Sequence, residues 1–400
     1  MSGPYEIKIR ELPDMKISIV RDPYEKVFMA NILTENTAEF YMRRALELAR
    51  KGQGRTSPNP MVGAVLVKNG RVVGEGYHRK AGLPHGEIEA LRRAGKKAQG
   101  ADLYVNLEPC CHIGKTPPCT EAIIAAGVRK VIVGMRDPNK LVGGKGTRQL
   151  RKNGVQVVTG TLRKECEKLN EVFIKFIRTG NPFVVLKTAV SLDGKIATSS
   201  GESKWITGPK AREKVHQVRN EIDAIVVGAG TILKDDPFLT TRLKKKSANV
   251  KHPIRVILDN EFLVPLKSNV FKNTDTQRVL YATGKKLPDS RRKELTRRGV
   301  DILILKEKKG GVDLRHLLHS LGERGISSVL IEGGGEVNAS ALEAGIVDKV
   351  LVFVAPILIG GKDAPGPLGG KGIRRLASAF KIKNMTVNQI GNDFLLEGYI

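Results

Sequence analysis

Cysteines and long apolar runs are both scarce in this sequence. Only four of the 400 residues are cysteines, and three of them, Cys110, Cys111 and Cys119, lie close together. We therefore expect no disulfide framework, and we expect the protein in a reducing compartment, the cytoplasm. The longest apolar run, residues 350–360, is interrupted by Pro356 and is far too short to cross a bilayer, so no membrane-spanning segment is expected.

A leader peptide is not expected either. Residues 1–28 have no apolar signal core, and they contain several acidic residues, which transit peptides avoid. No helical or strand period is visible before residue 36. We therefore expect residues 1–35 to form an irregular N-terminal extension.

Acidic residues are outnumbered by basic ones, 41 against 68, which leaves a net charge of +27. Basic residues cluster at 242–246 and 291–298. Such a charge attracts phosphorylated substrates or nucleic acid, but a solvated Lys/Arg-rich surface explains it without any partner. Because the clusters contain no interleaved aromatic residues for base stacking, we favour the solvated surface and expect no nucleic-acid partner.

The length and the order of patterns predict two α/β domains. A helix is expected to begin at Asn36 or Thr37, and strand and helix patterns then alternate, which is typical of layered α/β sheets. A helical stretch ends at Gly180, and Asn181-Pro182 follows, which is a helix stop and a natural domain boundary. We expect one domain over residues 36–180 and a second over residues 181–400.

Residues 85–119 contain the residue types of a zinc hydrolase. His85 is followed by Glu87, and Cys110 and Cys119 lie nine positions apart, each group where a helix is expected to begin. A catalytic zinc takes three nitrogen or sulfur ligands and leaves the fourth position to water. We predict His85, Cys110 and Cys119 as ligands and Glu87 as the catalytic proton carrier. The alternative, unrelated core cysteines and a surface histidine, accounts poorly for the complete set.

This order of residues resembles the zinc nucleobase deaminases, in which H-x-E precedes a P-C-x-x-C pair. Here eight residues, which end in GKTPP, separate Cys110 from Cys119, and this longer insert resembles the deaminase domain of the bifunctional riboflavin-biosynthesis deaminase/reductases. The resemblance implies a cytidine-deaminase-like α/β/α fold. It also implies a pyrimidine and phosphate pocket whose lining residues are Asn59, His78, His112, Lys115, Asp137 and Asn139. From local sequence alone, Asn59 is equally well a turn residue and His78 a solvated loop histidine.

Two glycine turns follow strand patterns in the second half. Gly228-Ala229-Gly230 is not a Rossmann fingerprint, because the third glycine position, 233, is leucine. GAGT and GGGEVNAS are nevertheless places where backbone amides can approach phosphate groups, although simple turns are the alternative. Together with SLDGKIA, WITG and DDPFLTTR, they resemble the reductase half of the same riboflavin enzymes, which has a dihydrofolate-reductase-like fold and uses NADPH.

The resemblance assigns residues of the second half to two groups. Cofactor-binding residues would be Ala189, Trp205, Thr231, Asp235, Gly334, Gly335, Glu336, Val337, Asn338, Ala339 and Ser340. Residues around the ribosyl phosphate substrate would be Lys187, Ser203, Arg219, Leu239, Arg242 and Glu332. Arg219 and Arg242 are suited to gripping a phosphate at two points. Trp205 packs on the nicotinamide or, alternatively, lies in the core. Glu332 polarises or protonates the substrate, or only positions hydroxyl groups.

The resemblance therefore implies two consecutive reactions in one chain. A diaminopyrimidinone ribosyl phosphate is deaminated at a zinc site, and NADPH then reduces its ribosyl group to ribityl, which gives a 5-amino-6-ribitylamino-uracil 5′-phosphate. The resemblance also suggests a homo-oligomer formed through the reductase half. Two other interpretations are a deaminase with a non-catalytic second domain and a deaminase that acts on RNA.

Overall fold

The computed structural model describes residues 9–12, 15–18, 23–112, 117–140, 142–243, 250–308 and 311–400, with side chains from residue 37 onward. Within these residues, no helix has the length and hydropathy that a membrane span requires. The chain divides into two compact units. The first comprises Met1–Lys51 and Val62–Leu169, and the second comprises Gly52–Met61 and Asn170–Ile400.

The first unit contains a mixed sheet and the helices that cover it. The strands of this unit are β1 (Ile9–Leu12), β2 (Met15–Ser18), β3 (Gly63–Lys68), β4 (Arg71–Tyr77), β5 (Asp102–Leu107), β6 (Lys130–Met135) and β7 (Gln156–Thr159). Strands β1 and β2 form a separate two-stranded sheet. Its helices are α1 (Pro23–Arg50), α2 (Gly86–Ala94), α3 (Cys119–Ala125), α4 (Lys145–Lys152) and α5 (Arg163–Leu169), with a 3₁₀ turn at Gly95–Ala98. The sheet order is β4-β3-β5-β6-β7, and β5, β6 and β7 are parallel.

Helices α1 and α2 cover opposite faces of this sheet. A Cβ atom on Gly63 would overlap the backbone of α1 at Ala45, and one on Gly76 would overlap the start of α2 at Gly86. Gly76 pairs with Ala64, the neighbour of Gly63, and successive residues of a strand point to opposite faces. The predicted α/β/α layering is therefore confirmed. The close approach at Gly76 also fixes the start of α2, where His85 is the N-cap residue.

The hairpin between β3 and β4 turns at Asn69-Gly70. Asn69 and Gly70 have φ angles of 52° and 72°, and positive values at both central residues are typical of the type I′ turn that joins antiparallel strands. The strands are antiparallel from Gly63↔Tyr77 to Lys68↔Arg71. This turn places β4, and the segment that leads from it to His85, beside β3.

The N-terminal residues differ from the irregular extension expected for residues 1–35. Strands β1 and β2 form an antiparallel pair, and α1 begins at Pro23 instead of at Asn36 or Thr37. Proline is favoured in the first turn of a helix, and the residues that follow it include good helix formers. The apolar residues of this stretch have only a weak helical period, so the sequence analysis did not predict the helix, although the composition favours one.

The second unit contains the larger sheet. Its strands are β8 (Phe183–Ser191), β9 (Ala224–Gly228), β10 (Ile254–Leu258), β11 (Val279–Thr283), β12 (Asp301–Ile304), β13 (Glu307–Lys308), β14 (Gly311–Val312), β15 (Ser328–Ile331), β16 (Lys349–Ala355), β17 (Lys383–Ile390) and β18 (Asp393–Tyr399). Its helices are α6 (Glu171–Thr179), α7 (Pro209–Glu221), α8 (Ala229–Asp235), α9 (Asp289–Arg297), α10 (Leu314–Glu323) and α11 (Gly335–Glu343), and 3₁₀ turns lie at Asn269–Phe271 and Leu376–Ser378.

The large sheet has the order β12-β11-β10-β9-β15-β8-β16-β18-β17 among the described residues. Strands from β12 to β16 in this order are parallel, and β18 and β17 complete the sheet in antiparallel fashion. Ile225 and Val227 belong to one apolar cluster, and Ala224 and Val226 to another. Because alternate residues face opposite sides, the parallel part of the sheet is buried on both faces.

The helix predicted to end at Gly180 is interrupted at Asn170. Helix α5 ends at Leu169, α6 begins at Glu171, and Gly180 has the left-handed φ of 70° expected at a helix C-terminus. The Asn170 side chain accepts a hydrogen bond from the Met61 N–H (2.8 Å) and donates one to the Met61 carbonyl (3.0 Å). These hydrogen bonds hold Asn170 at the break between the two helices, where its φ of −105° and ψ of 22° are not helical.

Candidate active sites of the two units

Three predicted metal ligands meet at one end of the small sheet. His85 is the N-cap residue of α2, Cys110 lies three residues after β5, and Cys119 is the first residue of α3. The His85 Nδ1 atom lies 3.3 Å from the Cys119 Sγ and 3.6 Å from the Cys110 Sγ. All three donor atoms lie within 4.8 Å of one another.

This donor set fits zinc. A tetrahedral zinc with ordinary Zn–N and Zn–S bond lengths would separate its nitrogen and sulfur ligands by about 3.5 Å, which is close to both observed separations. The hydrogen bond with Cys119 lowers the pKa of the Cys110 thiol to about 4, against the effect of its burial. The same hydrogen bond raises the pKa of Cys119, so the first thiolate of the pair forms at Cys110. Thiolates are the form in which cysteine binds metals.

Glu87 lies in the first turn of α2, two residues after His85, and is 3% exposed. Its Oε2 atom is buried and has no hydrogen-bond partner among the described residues. Burial raises the pKa of this carboxyl group, which favours its taking up a proton. An unpartnered buried carboxyl oxygen beside three metal ligands is what a proton carrier at this site requires.

His78 reaches the same site from the end of β4. Its ring makes an edge contact with the His85 ring at a centroid distance of 5.3 Å, and its Nδ1 lies 3.1 Å from the Pro84 carbonyl oxygen. The side chain is 1% exposed, and burial lowers its pKa. The solvated loop histidine considered as an alternative is therefore not what the structure shows.

The remaining predicted pocket residues fall into three groups. Asp137 and Asn139 lie in the loop between β6 and α4, and burial raises the pKa of Asp137 to about 6. His112 is exposed, and Lys115 lies outside the described residues. Asn59 belongs to Gly52–Met61, which groups with the second unit, where its N–H donates to the Thr56 carbonyl (2.7 Å).

Glu108 is a residue of this site that sequence reasoning missed. It directly precedes Pro109-Cys110 and is 2% exposed. Its carboxylate accepts hydrogen bonds from the backbone of the loop that holds Asp137 and Asn139. Its place next to a predicted ligand was the available signal, but its partners lie on a separate segment that only the parallel pairing of β5 and β6 brings near.

A buried cluster of charges lies at the end of β15 in the second unit. Arg219 donates two hydrogen bonds to Glu332, from Nε to Oε1 (2.8 Å) and from Nη2 to Oε2 (2.7 Å). Lys187 Nζ lies 3.6 Å from the Glu332 Oε2. Ala189 lies two residues after Lys187 on β8, so both side chains are on the same face of the strand.

The Arg219–Glu332 pair changes two expectations from the sequence. Burial favours the protonated form of Glu332, but the charges of Arg219 and Lys187 prevail and lower its pKa to about 2. This favours the carboxylate form of Glu332, which suits a role in positioning hydroxyl groups better than one in protonating the substrate. The Arg219 guanidinium was expected to bind a phosphate at two points, but its Nε and Nη2 donate to Glu332. Its Nη1 donates to the Thr240 carbonyl (3.2 Å).

The two glycine turns lie side by side. Strands β9 and β15 are parallel neighbours, and the Glu332 N–H donates to the Val226 carbonyl (3.1 Å), so α8 and α11 begin at the same edge of the sheet. Thr231 Oγ1 lies 3.4 Å from where a Cβ on Gly334 would stand. Such an edge, with two helix starts, is where α/β proteins bind nucleotides.

The predicted loop from Gly334 to Ser340 is mostly the first turns of α11. A Cβ on Gly228 or on Gly333 would approach the Val337 side chain within 3 Å, so Val337 packs against both strand ends. Asn338 and Ala339 are buried, and Ser340 is exposed. The backbone amides of the first turn of α11 are suited to bind a phosphate here.

Glu336 and Asn338 bind another part of the chain. The Gly370 N–H donates to Glu336 Oε1 (3.1 Å), and Asn338 Nδ2 donates to the Pro367 carbonyl (2.9 Å). These side chains hold residues 367–370 against the start of α11. Their direct contact with a cofactor is not supported by this arrangement.

Trp205 is 67% exposed, so the core position considered as an alternative is not observed. The guanidinium carbon of Arg212 lies 4.6 Å from the centre of its ring. Ser203 Oγ donates to Asp235 Oδ1 (3.2 Å), which joins a predicted substrate residue to a predicted cofactor residue. Trp205, two residues after Ser203, is therefore largely exposed, with Arg212 over its ring.

Leu239 and Arg242 lie in the segment after α8. Leu239 is 4% exposed and belongs to the core, with a left-handed φ of 55°, so its side chain is not available to a substrate. Arg242 is exposed, and its N–H donates to Nδ1 of His216 (3.3 Å). Burial and the charges of Arg219 and Arg242 lower the pKa of His216 to about 4, so this histidine is neutral.

Comparison with known proteins finds a matching family for each half of the chain. Residues 35–135 match the family described as cytidine and deoxycytidylate deaminase zinc-binding region, and residues 182–396 match the RibD C-terminal domain. The chain is 46% identical to the riboflavin biosynthesis protein RibD of Actinobacillus pleuropneumoniae over 89% of its length and 94% of that protein. It is 42% identical to the RibD protein of Escherichia coli (strain K12) over 90% of its length and 98% of that protein.

Solved structures show the same similarity. One form of Acinetobacter baumannii RibD superposes with a TM-score of 0.82 at 38% identity, covering 92% of this chain and 99% of that one. The diaminohydroxyphosphoribosylaminopyrimidine deaminase/5-amino-6-(5-phosphoribosylamino)uracil reductase of Thermotoga maritima superposes with a TM-score of 0.80 at 40% identity, with the same coverage. The fold predicted for each half is confirmed.

Proposed function

The chain belongs to the RibD family of riboflavin biosynthesis, and from this premise we propose which of its residues perform each reaction. The enzyme is a zinc-dependent deaminase and an NADPH-dependent reductase. It acts on a phosphorylated pyrimidine: 2,5-diamino-6-(5-phosphoribosylamino)pyrimidin-4(3H)-one loses an amino group as ammonia, and the ribosyl group is then reduced to ribityl. These are the functions that the sequence motifs implied.

In the deaminase, His85, Cys110 and Cys119 would hold the zinc ion. When bound there, zinc would make a water molecule acidic enough to be deprotonated near neutral pH. Glu87 takes up that proton at its unpartnered Oε2 and transfers it to the leaving amino group. The raised pKa of Glu87 supports this role, because a carboxyl group that must both accept and release a proton works best near the operating pH.

The substrate of the deaminase would be bound by residues around this centre. We assign this role to Asn59, His78, His112, Lys115, Asp137 and Asn139. The ring contact between His78 and His85 and the burial of Asp137 support the assignment for these two positions. For Asn59, His112 and Lys115 the family resemblance is the support.

In the reductase, NADPH would bind at the paired glycine turns, where Thr231, Gly334, Gly335 and the first-turn amides of α11 lie together. Bound there, NADPH would supply hydride to the ribosyl carbon, a step that depends on the relative orientation of donor and acceptor. Ala189, Trp205 and Asp235 border this region in the proposal, with Glu336, Val337, Asn338, Ala339 and Ser340 shaping α11. We assign cofactor binding by residues 334–340 to their backbone amides, because most of their side chains contact other parts of the protein.

The ribosyl phosphate would lie beside the buried charge cluster. Glu332, fixed as a carboxylate, accepts hydrogen bonds from substrate hydroxyl groups, while Lys187 supplies a positive charge nearby. Arg242, which is exposed and forms no ion pair among the described residues, is the better phosphate ligand of the two arginines. Ser203 and the backbone of Leu239 complete this set in the proposal.

One observation carries the proposal: a fitting zinc donor set and a separate paired glycine turn occur in one chain. The test is to supply the diaminopyrimidine ribosyl phosphate to purified enzyme and to follow ammonia without NADPH, then nicotinamide absorbance after NADPH is added. Ammonia release followed by stoichiometric NADPH oxidation is expected. Ammonia release without oxidation would instead indicate a deaminase with a non-catalytic second domain.

We also propose the functional boundaries, compartment and assembly of the enzyme. The deaminase would span residues 36–180 and the reductase residues 181–400. None of the four cysteines forms a disulfide, which supports a reducing compartment, the cytoplasm. Homo-oligomers through the reductase are supported by β17, which lies at the edge of the large sheet and exposes Met385 (59%) and Val387 (57%).

A further inference from the structure

Glu108 lies at the point where the metal-binding segment meets the loop after β6. It directly follows the last residue of β5 and precedes Cys110 by two positions. Strands β5 and β6 are parallel, and Leu107 pairs with Met135, so the residues that follow the two strands emerge at the same edge of the sheet. The Glu108 side chain lies between these two segments and is almost completely buried.

The Glu108 carboxylate accepts three hydrogen bonds from backbone N–H groups beyond β6. Oε2 accepts from Asp137 (3.3 Å) and from Gly144 (2.9 Å), and Oε1 accepts from Thr147 (3.0 Å). The three donors span the whole connection from β6 to the first turn of α4. One side chain therefore fixes both ends of this loop.

Helix α4 depends on this carboxylate because its own N-cap residue cannot supply an acceptor. The N-cap residue is Gly144, whose φ is 81° and which has no side chain. The first N–H groups of a helix have no partner within the helix, and a negative charge beside them is favourable. Glu108 provides for Thr147, the third residue of α4, what a serine or aspartate N-cap provides in other helices.

The joint between the two segments is tight. A Cβ atom on Gly146 would overlap the Pro109 carbonyl oxygen, so the start of α4 touches the residue before Cys110. Within the loop, Asp137 Oδ1 accepts from the Asn139 N–H (2.8 Å), and the Asn139 carbonyl accepts from Gly143 N–H (2.8 Å). The positions of Asp137 and Asn139 therefore depend on where the loop ends are held.

We propose that Glu108 is a positioning residue of the deaminase, whose carboxylate holds the Asp137–Asn139 loop in register with the metal-binding segment. Glu108 touches neither metal nor substrate and acts through the backbone of this loop. The inference rests on the proposed substrate-binding role of Asp137 and Asn139. It deepens that proposal, because it names the residue that sets their distance from the ligands His85, Cys110 and Cys119.

The decisive variant is Glu108→Gln, which has nearly the same shape. An amide offers one acceptor oxygen and places N–H groups where the second carboxylate oxygen stood, so at least one backbone donor loses its acceptor. We expect the KM for deamination to rise about tenfold or more, with kcat changed by less than about threefold. Zinc content and NADPH oxidation on supplied deaminated intermediate should equal those of the unmodified enzyme.

Glu165→Gln is the matched control, since Glu165 is exposed on α5. Equal KM values for Glu108→Gln and Glu165→Gln would overturn the inference. So would a Glu108→Gln protein that loses zinc, because Glu108 would then support the metal ligands and not the loop. Asp137→Asn keeps the turn acceptor but removes the charge. If Asp137→Asn leaves the KM unchanged, the substrate assignment of the loop fails first.

A second variant covers the case in which Glu108→Gln does not fold. Glu108→Asp retains the charge and withdraws the carboxylate by one methylene group, which lengthens all three hydrogen bonds. A raised KM for deamination, with zinc retained and reduction unchanged, supports the inference. A KM equal to that of Glu165→Gln, or loss of zinc, contradicts it.

Discussion

Arg219 and Glu332 lie 113 positions apart in the sequence and form a two-point ion pair in the second unit. Arg219 comes from α7, and Glu332 follows the last residue of β15, so the pair ties a helix to the strand end beside a glycine turn. Both side chains are buried, with exposed fractions of 13% and 8%. The pair therefore sets the position and the charge of the carboxylate at the proposed reduction site.

Arg219→Lys should impair reduction. Lysine keeps the charge but cannot donate two parallel hydrogen bonds, so Glu332 would lose its fixed orientation. We expect kcat/KM for NADPH oxidation to fall at least about tenfold and the free energy of unfolding of the reductase half to fall by about 2 kcal/mol. Steady-state kinetics on the deaminated intermediate and urea unfolding measure these effects.

Arg278→Lys is the control for this variant, because Arg278 forms an exposed pair with Asp301 (3.0 Å). Exposed pairs contribute about 1 kcal/mol or less, so both activity and stability should remain close to those of the unmodified enzyme. If Arg219→Lys behaves like Arg278→Lys, the fork between Arg219 and Glu332 has no functional importance.

The same pair predicts how stability depends on pH. The folded-state pKa of Glu332 is about 2, below its ordinary value of 4.5, so folding favours the carboxylate. Its stabilising effect is present above pH 4.5 and is lost as the pH falls toward 2; the difference in pKa corresponds to about 3 kcal/mol. Glu332→Gln should therefore be less stable than the unmodified enzyme above pH 5, and the difference should shrink in acid. A pH-independent difference in thermal unfolding would contradict this assignment.

Local sequence patterns predicted the metal site. The contacts that they did not predict join segments that only the strand pairing brings together. His85, Glu87, Cys110 and Cys119 could be identified because they carry the residue types that zinc chemistry needs. His85, Glu87 and Cys119 lie at helix starts, whereas Cys110 follows β5. The three hydrogen bonds of Glu108 could not be predicted, since its acceptor role arises from Gly144 and Thr147, which reach it only through the pairing of β5 with β6.

The reductase pocket shows the same limit. The sequence indicated Arg219 and Glu332 separately, but not that they bind each other, because the strand order β9-β15-β8 is not the order of the chain. The side chains of Val337 and Leu239 were assigned by resemblance to ligand contacts, yet Leu239 is buried in the core and Val337, partly buried, packs against Gly228 and Gly333. A family resemblance identifies a ligand-binding position, but only the structure shows whether the side chain or the backbone at that position can contact a ligand.

Trp205→Ala should weaken cofactor binding without unfolding the protein. The indole is 67% exposed, so its removal costs little buried area, whereas stacking against a nicotinamide would be lost. We expect the KM for NADPH to rise about three- to tenfold, with the thermal midpoint nearly unchanged. Phe40→Ala, at a similarly exposed aromatic (66%) in the first unit, is the control. Equal NADPH kinetics in both variants would remove Trp205 from the cofactor site.

Val387→Glu should weaken the proposed homo-oligomer. Val387 is 57% exposed on β17, an edge strand, and a charge there disfavours both apolar contact and strand pairing between copies. Light scattering after size exclusion should show a smaller mass at low concentration. Val72→Glu, on the β4 edge strand of the first unit and 46% exposed, should leave the mass unchanged. A Val387→Glu protein with the mass of the unmodified enzyme would exclude this edge as the interface.

Glu87→Gln separates the two reactions most clearly. Glutamine fits the buried space of Glu87 but cannot carry a proton, so ammonia release should fall by at least about a hundredfold. The ligands His85, Cys110 and Cys119 are untouched, and bound zinc should remain equimolar by metal analysis. NADPH oxidation on supplied deaminated intermediate should be unaffected, because the residues proposed for that reaction belong to the second unit. Removing zinc with a chelator should reproduce the loss of ammonia release, and added zinc should restore it only where Glu87 is present. If Glu87→Gln also stopped NADPH oxidation, the two sites would not be independent, and the assignment of one reaction to each unit would be wrong.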